Sequence, residues 1–196
     1  DAVSVAKRSL KNTCLAYLVY TDPDSAVQQF NLADNMTDSL AALRALNVDG
    51  LNAREVALTA FYQKWQNEPL VLDKWFAIQA CAPCPDVFSR VEALSHHKDF
   101  DIKNPNKVSA LLGQFSHNNP YYFHRIDGKA YDFYKDLILK LDALNPQVAA
   151  RIAHVFTTFK RFDTQRRTLM QHTLEAMLEA SLSNDLYEIV SKTLTE

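Results

Sequence analysis

Apolar residues recur three and four positions apart along most of this chain, which is the period of helices that pack on one face. The densest such stretch runs from Leu70 to Ala80, where Leu72, Trp75, Phe76 and Gln79 stand at i, i+3, i+4 and i+7. Val71 and Ile78 widen that face beyond a single stripe, so this helix is expected to lie between neighbours. The Trp75 indole N–H then needs an acceptor close by.

The flanking segments supply the neighbours. Asp1 to Tyr20 carries Val5, Leu10, Cys14, Leu15, Leu18 and Val19 at helical spacing and stops at the turn Thr21-Asp22-Pro23-Asp24. A short second helix follows. Asn35-Met36-Thr37-Asp38 then offers side-chain caps ahead of Leu40, Leu43 and Leu46, with an end near Gly50. From Asn52 to Gln66 the residues Val56, Leu58, Ala60, Phe61 and Trp65 repeat the pattern, and Pro69 opens the central helix.

The second half uses Asn-Pro three times, at Asn104-Pro105, Asn119-Pro120 and Asn145-Pro146. Asparagine is a good cap, and proline suits the first helical turn because its φ is preset and its missing N–H would have been unpaired there. The first pair predicts a helix through Val108, Leu111, Leu112 and Phe115; the third predicts one through Val148, Ile152, Val155, Phe156 and Phe159. The middle pair reads as an aromatic loop or short turn, Tyr121-Tyr122-Phe123, leading to the Asp127-Gly128 turn. Two closing helices are expected over 163–181 and 184–194. Pro69, Pro105 and Pro146 are separated by 36 and 41 residues, near the period of two-helix repeats, although the units are poorly alike in sequence. The fold expected is all-α: a superhelical array of antiparallel helix pairs, an α-solenoid of the HEAT/armadillo kind, forming one domain over 1–196.

Composition agrees with this picture. Of 196 residues, 47% are hydrophobic and 22% charged, an ordinary balance for a folded soluble chain. Only three glycines occur, fewer than hairpin-rich sheets need. Three cysteines cannot all pair within one chain, which suits a reducing compartment, and no apolar run reaches the roughly 20 residues of a membrane helix. A cytoplasmic protein with no membrane partner is expected. The chain starts at Asp1, already in a helical pattern, as a piece of a longer polypeptide would. The net charge of −2 is uneven, since residues 98–167 hold 12 Lys or Arg against 7 Asp or Glu. Basic and aromatic residues do not interleave there as in a nucleic-acid groove, so no nucleic-acid partner is expected.

Catalytic signals are sparse. Cys81-Ala-Pro-Cys84 has the spacing of a redox or zinc half-site, but it stands without a second pair, and a helix ending at Cys81 explains it equally. The six histidines are dispersed, and His-Glu-x-x-His, Gly-x-Ser-x-Gly and glycine-rich phosphate loops are absent. Neither catalytic nor metal-binding residues are therefore assigned. The helix opening at Asn145-Pro146 is more informative, because Gln147 and Arg151 stand four apart on one face. An arginine near a helix N-terminus opposes the macrodipole preference. Arg151 is either a guanidinium held for a carboxylate or carbonyl, or a solvated surface arginine.

Several strings together resemble bacterial-type aminopeptidase N in its C-terminal region. They are Asn35-Met36-Thr37-Asp38 with Leu40-Ala41-Ala42-Leu43, Leu72-Asp73-Lys74-Trp75-Phe76, Asn104-Pro105-Asn106, Asn145-Pro146-Gln147-Val148-Ala149, Lys160-Arg161-Phe162-Asp163 and Asp185-Leu186-Tyr187-Glu188, in matching order from about Cys14 onward. The family consists of zinc metallopeptidases that remove N-terminal residues from peptides. The resemblance implies a C-terminal helical domain that closes over the catalytic domain and limits access to a chamber. The zinc, its His-Glu-x-x-His and a later Glu would belong to that preceding domain, and this chain alone would be inactive. The expected partners are the catalytic domain of the same polypeptide and peptide substrates. By the resemblance, Gln147 and Arg151 would line the chamber and bind substrate, whereas an arginine that some members carry after Asn-Pro-Asn falls at Ser109 in this chain. A free-standing helical scaffold for a protein partner is the alternative.

Overall fold

The computed structural model describes residues 2–195, so Asp1 and Glu196 lie outside the described residues. Every regular element among the described residues is helical. They group into two compact units, Asp1–Val87 and Phe88–Glu196.

The first unit contains α1 (Ala2–Leu18), α2 (Pro23–Leu32), α3 (Met36–Leu46), α4 (Ala53–Trp65) and α5 (Pro69–Ala80). Around α5 the sequence pattern is reproduced closely: Leu72, Trp75, Phe76, Ile78 and Gln79 are all buried. The Trp75 indole donates to the Leu58 carbonyl at 3.0 Å, which supplies the acceptor its burial demands. Asn35 caps α3 by accepting the Asp38 N–H at 3.0 Å. Asp38 is itself a knot. Its carboxylate takes Lys11 Nζ at 2.5 Å and Asn12 Nδ2 at 2.9 Å from α1, while Gln29 of α2 donates to Asn12 Oδ1 and to the Asp38 carbonyl. Burial pushes the Asp38 carboxyl up, but hydrogen bonds from Lys11, Asn12 and Asn35, with the charge of Lys11, hold it below the usual carboxylate range.

Two apolar faces differ from expectation. In α1, Val5, Leu10 and Leu18 are exposed and only Leu15 is buried. In α4, Val56 and Ala60 face solvent, and the packed face is Arg54, Ala57, Leu58 and Phe61. Arg54 belongs there because Asn47 accepts its Nε at 3.0 Å and Asp86 accepts its Nη1 at 3.1 Å. A buried guanidinium so paired occupies a position that periodicity assigns to carbon.

The second unit is reached along α6 (Val87–Ser95). Asn104-Pro105 opens a helix as expected, but the helix changes pitch twice: α7 (Pro105–Val108), a π segment (Ser109–Gly113) and α8 (Gln114–Asn118). Val108, Leu111, Leu112 and Phe115 are all buried along it. Asn119-Pro120 starts a single-turn helix, α9 (Pro120–Phe123), where a loop or turn was expected. α10 (Lys129–Asp142) follows Gly128, whose φ of 71° suits glycine alone without strain. Next come α11 (Pro146–Ala153), a 3₁₀ helix (His154–Arg161), α12 (Thr164–Leu178) and α13 (Asn184–Thr195). The core is aromatic: Phe115, Phe123, Tyr131, Tyr134 and Phe156 are fully buried, with Phe123 and Tyr134 ring centroids 4.7 Å apart.

Candidate functional site

The candidate surface is built on α11 and the 3₁₀ helix that continues it. Asn145 caps α11 by accepting the Val148 N–H at 3.2 Å, and Pro146 occupies the first turn. Val148, Ala149, Ile152 and Ala153 are buried. That packing turns Gln147 and Arg151 outward together: Gln147 is exposed and so is Arg151. Neither has a hydrogen bond or ion pair among the described residues, so an amide and a guanidinium stand with their donors free.

Arg151 lies past the first turn of α11, and the 3₁₀ helix His154–Arg161 continues the same helix, so Arg151 stands at neither end, where the dipole preference is felt. Its freedom from partners is the feature that remains.

From His154 to Arg161 the helix tightens to 3₁₀. Side chains three apart then eclipse one another. Phe156 and Phe159 form the buried row, and Phe162 follows at the same interval. The exposed rows carry His154, Lys160 and Arg161 beside Arg151, which makes the surface basic. Thr157 is fixed on His154, donating to its carbonyl at 2.9 Å. Phenylalanine at every third position, 156, 159 and 162, is the sequence signal for this tighter winding, and a reading at spacings of three and four passes over it. Such a surface can grip carboxylate and carbonyl oxygens; its Thr157 hydroxyl stands 3.5 Å from His154 Nδ1, but its proton is directed to the His154 carbonyl.

A second polar group in the same unit is structural. The His124 ring lies against Phe162 with centroids 4.1 Å apart, and its Nδ1 is 2.9 Å from the Tyr131 hydroxyl. Arg166 donates to the His124 carbonyl at 2.5 Å and to Asp163 at 2.7 Å, and Asp163 caps α12. Burial, with the nearby Arg166 charge, pushes the His124 imidazole down to about 4.

The remaining sequence candidates do not converge. Ser109 is exposed at the start of the π segment. Cys14 is an exposed thiol, Cys81 is half-buried and Cys84 buried; burial pushes Cys81 up despite the opposing charge of Arg44. Among the described residues no three His, Cys, Asp or Glu side chains are grouped to hold a metal, and no helix is long and apolar enough to cross a membrane.

Comparisons with known proteins extend this picture. Residues 1–195 match the family described as "Domain of unknown function (DUF3458_C) ARM repeats". Over 193 residues the chain is 42% identical to aminopeptidase N of Haemophilus influenzae, and over 196 residues 39% identical to aminopeptidase N of Escherichia coli. Each alignment covers 97% of this chain but 22% of the relative, so the chain spans under a quarter of their length. A crystal structure of Legionella pneumophila aminopeptidase A in complex with aspartic acid superposes with a TM-score of 0.89 at 38% identity, over 96% of this chain and 23% of that one.

Proposed function

This chain belongs to the DUF3458_C family of ARM repeats, the C-terminal helical domain of aminopeptidase N, and from that premise we propose that it acts as the substrate-restricting part of a larger aminopeptidase. In this reading it closes over a catalytic domain supplied by the same polypeptide, limits which peptides enter, and touches them through Gln147 and Arg151. The observation that carries the reading is that these two side chains face outward together with every donor free, on a helix whose other side is buried.

A zinc ion in the parent enzyme would supply the Lewis acidity for amide hydrolysis. The residues of this chain do not fit that ion, since no three potential ligands are grouped among the described ones, so the metal is assigned to the preceding domain. Arg151 offers a planar fork suited to a carboxylate or two carbonyl oxygens, and Gln147 both donates and accepts. Contacts of this kind beyond the scissile bond fix the peptide's position without entering bond making. Restricted entry selects by size, leaving side-chain preference to the pocket that holds the first residue. The reducing interior of a bacterial cell is the compartment this reading implies.

The test is kinetic. Loss of a charge-assisted hydrogen bond at an accessible site is worth on the order of 1.5 kcal/mol, or roughly tenfold. Arg151→Ala in the full-length enzyme is expected to raise KM for an oligopeptide by about that factor while zinc content stays unchanged. An unchanged KM would sink the peptide-contact role. The chain alone is expected to be silent on an alanyl reporter and to restore activity when mixed with the separately expressed remainder; a free-standing scaffold would not restore it.

A further inference from the structure

The first helix of the chain is packed on its polar side and bare on its apolar side. Leu15 is the one buried residue of α1, with Ser4, Arg8 and Asn12 half-buried on the same side. At about 100° per residue the opposite side carries Val3, Ala6, Leu10, Thr13 and Tyr17, and Tyr20 in the turn that follows. Steps of three and four alternate along this row, the spacing of a helix-packing seam. Its large members are open to solvent: Val3 63%, Leu10 67%, Tyr17 76% and Tyr20 68%. Single exposed hydrophobes are ordinary, whereas a continuous seam of them along a whole helix marks a surface meant to be covered.

Beside the seam, a groove of about 780 Å³ lies between α1 and α3, lined among others by Tyr17, Tyr20, Arg8, Arg44, Ala41 and Val48. Neither Arg8 nor Arg44 makes a side-chain hydrogen bond or ion pair among the described residues. The groove thus offers apolar walls with two unneutralised guanidiniums. The last helix, α13, is different: its solvent side carries Asp185, Glu188 and Lys192, with Glu188 and Lys192 paired at 2.5 Å, and Tyr187 as its one exposed large hydrophobe. In stacked helical repeats a polar outer face is what a terminal layer needs, and an apolar one is what an interior layer shows.

We infer that the α1 seam and the Arg8–Arg44 groove seat a further helical layer, an amphipathic helix pair of the longer polypeptide that precedes this chain. That layer presents an apolar stripe to Val3, Leu10 and Tyr17 and at least one carboxylate to the two arginines. The chain spans only 22% of its relatives' length, so there is ample polypeptide to provide it. The inference rests on the reading of this chain as one part of a larger enzyme, and it names a partner surface which that reading leaves open.

Cys14 is a built-in reporter, since it is an exposed free thiol on α1, eleven residues and therefore only about 20° from Val3. The experiment measures alkylation of Cys14 by iodoacetamide in the full-length polypeptide and in the isolated chain, by mass spectrometry, with sedimentation recording the oligomeric state. The expected result is labelling slowed at least about tenfold in the full-length monomer. Leu10→Glu or Arg44→Glu in the full-length protein should restore labelling, with circular dichroism confirming that helix content is kept. Equal labelling in both forms would overturn the inference. Protection that appears only with dimerisation would also overturn it, because a second copy would then be the occupant. The Arg151 kinetics read a different surface, so the two proposals fail separately.

Discussion

Asp38 and His124 show how single buried polar residues tie helices together, and His124 also makes stability depend on pH. Its imidazole is held at about 4 by burial first and then by Arg166, against an ordinary value near 6.5. The unfolded chain therefore takes up this proton at a higher pH than the folded one. Stability from this residue is fully present above about pH 6.5 and is lost as pH falls towards 4. His97 is also depressed, by burial and by Lys98 with Asp99 opposing, so it contributes in the same sense. Urea unfolding at a series of pH values is expected to show ΔG declining through this window, and His124→Gln should flatten the decline; an unaltered slope would exclude His124 as its source. In the sequence His124 is merely one of six dispersed histidines. Of the aromatic shell that gives it this behaviour, Phe123 and Tyr131 are near in the chain, but Phe162 comes from 38 residues further on, and spacing along the chain does not display that closure. By contrast the strings that carry the family resemblance do structural work: Asn35, Asn145 and Asp163 cap their own helices, Asp38 ties α3 to α1, and Trp75 fills the core and bonds to Leu58 of α4.

Helix starts are the most legible elements, because a cap and a proline act within one turn and need no tertiary partner. The faces are less so. Periodicity identifies an apolar stripe without saying whether this chain covers it, which is why Val5, Leu10 and Leu18 fit a packing pattern and yet are exposed. Changes of helical pitch at Ser109–Gly113 and His154–Arg161 escape a reading at 3.6 residues per turn, which averages over them. For the candidate surface, the shared face of Gln147 and Arg151 follows from spacing, while the 3₁₀ turn that adds His154 and Lys160 does not. The cap on α11 is the device that sets this surface. Asn145→Ala is expected to cost about 1 kcal/mol in equilibrium unfolding, and Asn145→Asp to retain nearly all of it, since a carboxylate also accepts the Val148 N–H and favours the helix N-terminus. A loss as large in the Asp variant would mean that Asn145 acts through something other than capping.

At the scale of the molecule, the grouping into Asp1–Val87 and Phe88–Glu196 raises the question of whether 196 residues unfold as one body. The single domain expected from the sequence would do so. No glycine- or serine-rich linker separates the two, and the boundary falls at the first residue of α6 instead of between elements. Both tryptophans, Trp65 and Trp75, lie in the first unit, and Trp75 is buried against Tyr62 and Phe76 with its indole bonded to Leu58. Tryptophan fluorescence therefore reports the first unit alone, while far-UV circular dichroism reports helices throughout. If the chain is one cooperative domain, the two signals must give the same urea midpoint and slope. Phe123→Ala provides the sharper version of the test. Phe123 is fully buried in the second unit, and its truncation should cost about 3 kcal/mol or more. In a single cooperative domain that loss lowers the fluorescence midpoint although the substitution and both tryptophans are in different units. A fluorescence midpoint that stays in place while the dichroism transition splits would establish two independently folding units, and any restriction of substrate entry would then have to be assigned to the second unit, which carries Gln147 and Arg151, by itself.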